Sequence, residues 1–238
     1  MDNPGYVSLS RQAGLLKELN TIANNIANAD TAGYKREGAL FTEYIAAAGR
    51  DDPSLSIGRL GAHFADLSQG EFNKTGGTFD VAIQGEGFFL IGTPGGERLS
   101  RAGHFMTTAE GTLVNPDGFS VLDDAGGEIQ IPPEVAQIAI AGDGTISADG
   151  NALGRLGVVT AAPENLVREG SNLWRAEGGY QPVEDRTVLQ GFIESSNVDP
   201  VSEIARLIEV QRNYETGQKI FEQEDERISQ VIQTVSRP

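Results

Sequence analysis

Apolar positions recur with a helical period at both ends of the chain and with a strand period between them. Near the start, Leu15, Leu19, Ile22 and Ile26 fall at spacings of four, three and four, the seam of a helix that packs against another. The pattern predicts a first helix over about 7–28. Asn20, Asn24 and Asn28 form a second stripe almost opposite, with Leu16, Ala23 and Ala27 between the two. An exposed face ordinarily carries Lys and Glu, and Asn is a mediocre helix former. Three Asn in register therefore predict amide hydrogen bonds to a second partner. Thr31-Ala32-Gly33 is expected to end this helix, with Gly33 at positive φ.

A second helix is predicted from Pro200 onward. Pro200 suits the first turn and Asp199 is the expected N-cap. A heptad follows through Leu207, Val210, Tyr214, Gly217, Phe221, Glu224, Ile228, Val231 and Val235, with Val201, Ile204 and Ile208 on a neighbouring stripe. At 1.5 Å per residue the two helices extend to roughly 35 and 50 Å. Neither is stable without a partner for its apolar face.

Turn signals recur through the middle, as in Asn115-Pro-Asp-Gly118 and Asp123-Asp-Ala-Gly-Gly127. They separate short runs such as Phe88-Phe89-Leu90-Ile91 and Glu128-Ile-Gln-Ile131. The fold expected is α+β. Its N- and C-terminal helices pair as a coiled-coil-like helical domain, and a sandwich- or barrel-like β domain lies between them in sequence. The boundaries expected are 1–35 for the first helix, 36–75 for an extended connector, 76–185 for the β domain, 186–199 for a return connector and 200–238 for the last helix. Phe41 and Tyr44 fall in the first connector, which has no clear period.

Charge sharpens the division. Lys+Arg 18 against Asp+Glu 34 gives a net charge of −16 over 238 residues. Residues 37–199 hold nine basic and 24 acidic side chains, whereas the ends are close to neutral. The ends can therefore pack against copies of themselves, and the acidic middle is the expected solvent face. A phosphate binder needs a basic stripe, so nucleic acid is excluded as a partner. With no cysteine there is neither a disulfide framework nor a thiolate nucleophile. No run of about 18 apolar residues forms a membrane span. Met1-Asp2-Asn3-Pro4 is acidic where the start of a signal peptide is basic, and no apolar stretch follows, so no signal peptide is expected here.

Four ordered blocks carry a resemblance. They are Asn24-Asn-Ile-Ala-Asn-Ala-Asp-Thr-Ala-Gly-Tyr-Lys-Arg36; Gln69-Gly-Glu-Phe72 leading to Phe79-Asp-Val-Ala-Ile-Gln-Gly-Glu-Gly-Phe-Phe89; Ser100-Arg-Ala-Gly-His-Phe105; and Gly191-Phe-Ile-Glu-Ser-Ser-Asn-Val198 followed by Glu203-Ile-Ala-Arg-Leu-Ile-Glu-Val-Gln-Arg-Asn-Tyr-Glu215. Together they resemble the bacterial flagellar rod and hook proteins. The short length and the opening Tyr6-Val-Ser-Leu-Ser-Arg-Gln12 are most similar to the proximal rod branch, with the distal rod branch as the alternative. Asp30 and Tyr34 depart from the usual Asn and Phe.

The resemblance implies a structural subunit of the periplasmic rod. It implies partners among other rod proteins and copies of itself, and passage through the flagellar type III export apparatus. It gives assembly roles to Leu15, Leu19, Ile22, Asn24, Asn25, Ile26, Asn28, Gly33, Tyr34 and Lys35. At the other end it gives them to Ser196, Asn197, Val198, Ile204, Leu207, Ile208, Gln211, Arg212, Tyr214 and Phe221. Asp80, Ile83, Gly85, Gly87, Phe88 and Phe89 form the β-domain motif. It implies no catalytic residue, no metal, no cofactor and no small-molecule substrate.

The residues themselves offer little catalytic chemistry. His63 and His104 are isolated and read as surface or packed side chains. Asp143-Gly-Thr-Ile-Ser-Ala-Asp149 has the spacing of a calcium loop, but Ala148 stands at the sixth position and Gly154 at the twelfth, so hairpin turns are expected. Gly85-Glu-Gly87 matches a fragment of a dinucleotide fingerprint with no helix after it. Trp174 is expected in the core, and Asp123-Asp124 in a turn facing water. From the residues alone, a carbohydrate-directed β domain on a helical stalk and a periplasmic chaperone or adhesin stay open.

Overall fold

A computed structural model describes residues 3–46, 55–170 and 172–235. They form two compact units, each drawn from separated stretches of chain. The first takes the described residues within 1–27, 37–65 and 199–238, and the second takes those within 28–36 and 66–198.

The first unit contains helix α1 (Asn3–Ala27), strands β1 (Glu37–Ala46) and β2 (Leu55–Ala65), and helix α2 (Pro200–Val235). Helix α2 begins as its sequence dictates. Asp199 Oδ1 accepts the Val201 N–H at 3.1 Å, and Oδ2 accepts the Ser202 hydroxyl at 2.5 Å. The helices pack side by side and antiparallel. Gln12 donates to the Tyr214 carbonyl at 3.3 Å, and Arg206 donates to Glu18 at 2.8 Å. On α2, Val210 is buried and Leu207, Tyr214, Gly217 and Phe221 are half-buried. On α1 from Leu9 onward, the buried positions are Gly14, Glu18, Thr21, Ile22 and Asn25, while Leu15, Leu19 and Ile26 are half-buried. The inward face of α1 is therefore turned from the leucine seam towards a partly polar stripe, because the β1–β2 ribbon packs against α1 as well as α2 does.

Residues 37–46 and 55–65, expected within an extended connector, are extended and pair with each other. The antiparallel register runs from Glu37 opposite Ala65 to Ala46 opposite Leu55, with an irregularity at Leu40/Phe41. The side chains of Phe41, Tyr44, His63, Glu224, Ile228, Val231 and Val235 lie outside the described residues.

The second unit is β-rich. Its strands are β3 (Phe72–Lys74), β4 (Val81–Gln84), β5 (Phe88–Thr93), β6 (Gly96–Ser100), β7 (Met106–Thr107), β8 (Leu113–Val114) and β9 (Ser120–Val121), followed by β10 (Ile138–Ile140), β11 (Thr145–Ala148) and β12 (Asn151–Arg155). Strands β13 (Val158–Thr160), β14 (Leu166–Glu169), β15 (Leu173–Ala176), β16 (Gln181–Pro182), β17 (Thr187–Gln190) and β18 (Phe192–Glu194) complete it. The largest sheet runs β14-β15-β6-β5-β9-β8-β7, with β13 joining β5 to β16. Strands β10, β11 and β12 form a meander.

Two further pairs close the unit across the sequence. Strand β4 pairs with β17 and β3 with β18, so segments expected as connectors are strands of this unit. These strands are three or four residues long and their partners lie about a hundred residues away. Local periodicity carries no signal for such pairing.

The core collects alternate strand positions, among them Val81, Ile83, Phe89, Ile91, Leu113, Val121, Ile146, Leu156 and Val158. Phe89 and Phe105 meet edge to face, with centroids 5.1 Å apart. Gly103 admits no side chain, because a Cβ there would stand 1.6 Å from the Val81 carbonyl oxygen. Asp143 and Asp149 sit in hairpin turns and accept backbone N–H groups of Thr145 and Gln137.

One turn departs from expectation. Asp123 accepts the N–H groups of Ala125 and Gly127, as an Asx turn does. Asp124 does more than face water, since it pairs with Arg155 at 2.5 Å and with the buried Arg186 through both carboxylate oxygens. Burial pushes its carboxyl up, but the two guanidinium groups outweigh this and hold it below its ordinary range. Asp124→Ala is therefore expected to cost about 2–3 kcal/mol in urea unfolding, because it leaves Arg186 buried without a carboxylate. An unchanged midpoint would return Asp124 to the plain solvent-facing turn expected from sequence.

Candidate functional site

The segments 28–36 and 191–198 come together in the β-rich unit. The Gly33 N–H donates to the Glu194 carbonyl at 2.7 Å, and the Asn197 N–H donates to the Tyr34 carbonyl at 3.4 Å. Asn197 Oδ1 accepts the Arg36 N–H at 2.7 Å, and its Nδ2 donates to the carbonyls of Asp66 and Ser68 at 2.8 and 3.0 Å. One amide thus joins three chain segments. Gly33 lies six residues beyond the end of α1, so its role is not to stop that helix. With φ +69° and a Cβ that would stand 2.3 Å from the Ala102 nitrogen, it is required by close packing on the segment that follows β6.

Beneath this crossing lies a buried charge cluster. Glu194 is 1% exposed, Lys35 2% and Arg101 4%. Lys35 Nζ reaches Glu194 Oε1 at 2.5 Å and the Ser68 carbonyl at 2.7 Å. Arg101 Nε reaches Glu194 Oε2 at 2.5 Å, and the Gly70 N–H donates to Oε1 at 2.9 Å. The rest of the guanidinium grips the β4–β5 turn. It donates to the carbonyls of Ile83 (2.8 Å), Gly85 (2.6 Å) and Gly87. The β-domain motif therefore acts here through its main chain, while Phe88 and Phe89 fill the core.

The electrostatics are lopsided. Burial pushes the Glu194 carboxyl up, yet Arg101, Lys35 and the Gly70 N–H outweigh it and hold the group below its ordinary value. Burial draws the Lys35 ammonium down, and Glu194 only partly offsets this while Arg101 adds repulsion. Two cations share one carboxylate, so the cluster favours the charged form of Glu194 more than that of Lys35. A carboxylate held in this way is no proton carrier near neutrality, and the arrangement serves to tie chain segments together.

Arg168 adds a clamp. Its guanidinium carbon lies 4.4 Å from the Tyr34 ring centroid and 4.2 Å from that of Trp174, and its Nη2 donates to the Lys35 carbonyl. Trp174 is buried, as its lone hydrophobic character predicts, and also serves as a stacking surface. Asp80, also in this unit, accepts the Thr75 hydroxyl at 2.5 Å and meets His104 Nδ1 at 2.5 Å.

The helical unit has its own polar centre. Asn25, fully buried, donates through Nδ2 to Glu203 Oε2 at 3.0 Å and to the Glu37 carbonyl at 2.8 Å, and accepts the Glu37 N–H at 3.0 Å. It links α1, α2 and β1.

Of the residues singled out from sequence, the structure gathers Gly33, Tyr34, Lys35 and Asn197 at the crossing, and Asn25 in the helix pair. Asn24 is exposed and Asn28 half-buried, the latter accepting the Thr31 hydroxyl at 3.2 Å. Ser196 accepts the Val198 N–H at 3.2 Å, and Val198 is buried. Ile204, Ile208, Gln211 and Arg212 are exposed on α2. Glu194, Arg101, Arg168 and Glu203 were not singled out. The available signal was a charge set directly beside apolar strand residues, as in Phe192-Ile193-Glu194. Among the described residues no three His, Cys, Asp or Glu side chains group as a metal site, and no helix is long and apolar enough to cross a membrane.

Comparison with known proteins agrees with these blocks. Three family models match: "Flagella basal body rod protein" over residues 6–35, "Flagellar hook protein FlgE/F/G D1 domain" over 82–148, and "Flagellar basal body rod FlgEFG protein C-terminal" over 189–234. The chain is 43% identical over 230 residues to the flagellar basal-body rod protein FlgF of Caulobacter vibrioides, covering 93% of each chain. It is 35% identical over 239 residues to FlgF of Mesorhizobium japonicum, covering 99% of this chain and 98% of that one. To the rod protein FlgG of Bacillus subtilis it is 33% identical over 255 residues, covering 95% and 97%.

The cluster sets a pH dependence. Because the Glu194 pKa is lowered by folding, its contribution is complete above its ordinary value of 4.5 and is lost as pH falls through the lower folded value. Glu194→Gln should lower stability at pH 7 by about 3–5 kcal/mol, since it leaves two buried cations without a counter-charge. The gap between wild type and variant should narrow below pH 4.5. Urea titrations followed by Trp174 fluorescence at pH 7 and pH 3 check this, and a gap that widens in acid would contradict it.

Proposed function

This chain belongs to the flagellar rod and hook protein family as a structural subunit of the basal-body rod, and on that premise we propose how it is built into the shaft. The terminal helices meet those of other rod proteins and of copies of the same chain, in a coiled-coil-like inner layer. The β-rich unit, sandwich- or barrel-like in the family's manner, forms the outer layer. The subunit reaches its place through the flagellar type III export apparatus without a cleaved signal peptide and acts in the periplasmic rod. It works as a structural part and not as an enzyme. The FlgF-named relatives favour the proximal rod over the distal rod.

The observation that carries this reading is an uncovered apolar stripe. On α2, Val201, Ile204 and Ile208 are 75%, 47% and 45% exposed. At 100° per residue they lie roughly 140° from the stripe that contains Val210 and Phe221. Leu9 and Leu16 are likewise exposed on α1. The helix pair thus covers one face of α2 and leaves a second apolar face for another subunit. The near-neutral ends allow such packing, whereas the middle, with 24 acidic and nine basic side chains, resists it.

Burying Ile204 and Ile208 in assembly contributes roughly 1.5–3 kcal/mol per side chain. Ile204→Asp or Ile208→Asp should abolish incorporation into rods when mixed with neighbouring rod proteins, seen by electron microscopy, while helicity and melting of the monomer stay as in wild type. Ile22→Asp, at a buried position, should lower monomer helicity as well. Asn24→Ala should weaken assembly by about one hydrogen bond, or roughly 0.5–1.5 kcal/mol. Normal rods from the Ile204 and Ile208 variants would remove α2's second face from the account.

A further inference from the structure

Lys35 and Arg101 stand at the floor of a cleft of about 970 Å³, walled by the 85–87 turn, the 160–163 segment and the 178–181 loop. An ammonium has three N–H donors and a guanidinium has five. Lys35 reaches two acceptors, the Ser68 carbonyl and Glu194 Oε1. Arg101 reaches four: Glu194 Oε2 and the carbonyls of Gly87, Ile83 and Gly85. Each cation keeps one N–H without an acceptor among the described residues, on side chains that are almost wholly buried. Among the described residues Glu194 is the carboxylate in direct contact with both cations, and Asp66 acts on Lys35 only as the weakest of the influences on it. Buried cations in this state favour a further anion with oxygens for both donors. Glu86, on the rim, is exposed and screened by solvent.

We propose that this cleft is a carboxylate-binding site, and that its occupant in the assembled state is an Asp or Glu side chain of a second copy of this chain. Charge complementarity selects that source. Residues 37–199 carry 24 acidic against nine basic side chains, so an approaching copy presents carboxylates to a face that must otherwise repel it. Setting one carboxylate on the Lys35–Arg101 floor turns part of that repulsion into a directed contact and fixes register between copies. The inference rests on the rod-subunit reading, because it requires copies to meet.

The test has two arms on the full-length chain. The four lysines, Lys17, Lys35, Lys74 and Lys219, are labelled with carbon-13 at Cε, and the dilute monomer is titrated with sodium succinate against sodium chloride at equal ionic strength. The Lys35 resonance, assigned by its loss in Lys35→Arg, should move saturably while the other three follow the chloride control. In Arg101→Lys, which keeps the charge but loses the guanidinium fork, the midpoint should rise at least tenfold. The second arm mixes nitrogen-15 and unlabelled copies at a concentration where sedimentation shows self-association, couples amines to carboxylates with a carbodiimide, and reads the products by mass spectrometry. A Lys35 amide to an Asp or Glu of the other isotope is expected beside the internal link to Glu194, and it should vanish in Lys35→Arg.

A Lys35 resonance that tracks the other lysines overturns the site. Saturable succinate binding with no inter-copy link in associated material overturns the second copy as its source, and leaves a free small carboxylate or a buffer anion only. Absence of self-association altogether counts against the rod-subunit reading and, with it, the second-copy source, while the succinate arm still decides whether the cleft takes a carboxylate.

Discussion

Glu194 carries its carboxylate on β18, directly after Phe192 and Ile193, where burial of a lone charge would cost several kcal/mol. It is held there by Lys35 from the N-terminal segment, by Arg101 just after β6 and by the Gly70 N–H. Arg101 in turn fixes the β4–β5 turn through three carbonyls. Remove the carboxylate and two buried cations lose their counter-charge together. The β-rich unit is thus closed by a cluster assembled from parts of the chain as far apart as residues 35 and 194.

Both signature segments serve two units. In the N-terminal block, Asn25 works in the helical unit, where it bridges α1, α2 and β1, whereas Gly33 to Arg36 work in the β-rich unit. In the C-terminal block, Glu194 and Asn197 belong to the β-rich unit and Glu203 to the helical one. In the assembly proposed above, the helices meet neighbouring subunits while the β-rich unit stays folded. Distributing each signature across both units gives every segment a local anchor before any neighbour arrives. The apolar face of α2 that carries Ile204 and Ile208 stays exposed in the single chain, as the proposed assembly requires.

Much of this was legible in sequence, and the limits have identifiable causes. Heptad spacing located both helices, and Asp199-Pro200 located the start of α2 to the residue. Turn chemistry located the β-rich region, since Gly and Asp positions are dictated locally. The inward face of α1 was less legible. The leucine seam suggested one direction, but β1 and β2 cover a second side, and the buried amide is Asn25 instead of one from the Asn20, Asn24, Asn28 stripe. Strands β3, β17 and β18 were invisible because three or four residues carry no period and their partners are remote. Asp124 read as a solvent-facing turn residue because nothing near it in sequence announces Arg186. The ion cluster shares that cause: its members sit inside recognised blocks, and only the fold brings Lys35 and Arg101 within 3 Å of Glu194.

The central claim is that Lys35 and Glu194 act on each other and do not merely occupy the same interior. A double-mutant cycle measures this most directly. Lys35→Met, Glu194→Gln and the double variant are unfolded in urea at pH 7, with Trp174, the chain's one tryptophan, reporting on the β-rich unit. The account predicts a coupling energy of about 1–3 kcal/mol, with the double variant closer to wild type than the two single losses sum to. A coupling within about 0.3 kcal/mol of zero would contradict it, because the two termini would then be fixed by something other than this ion pair.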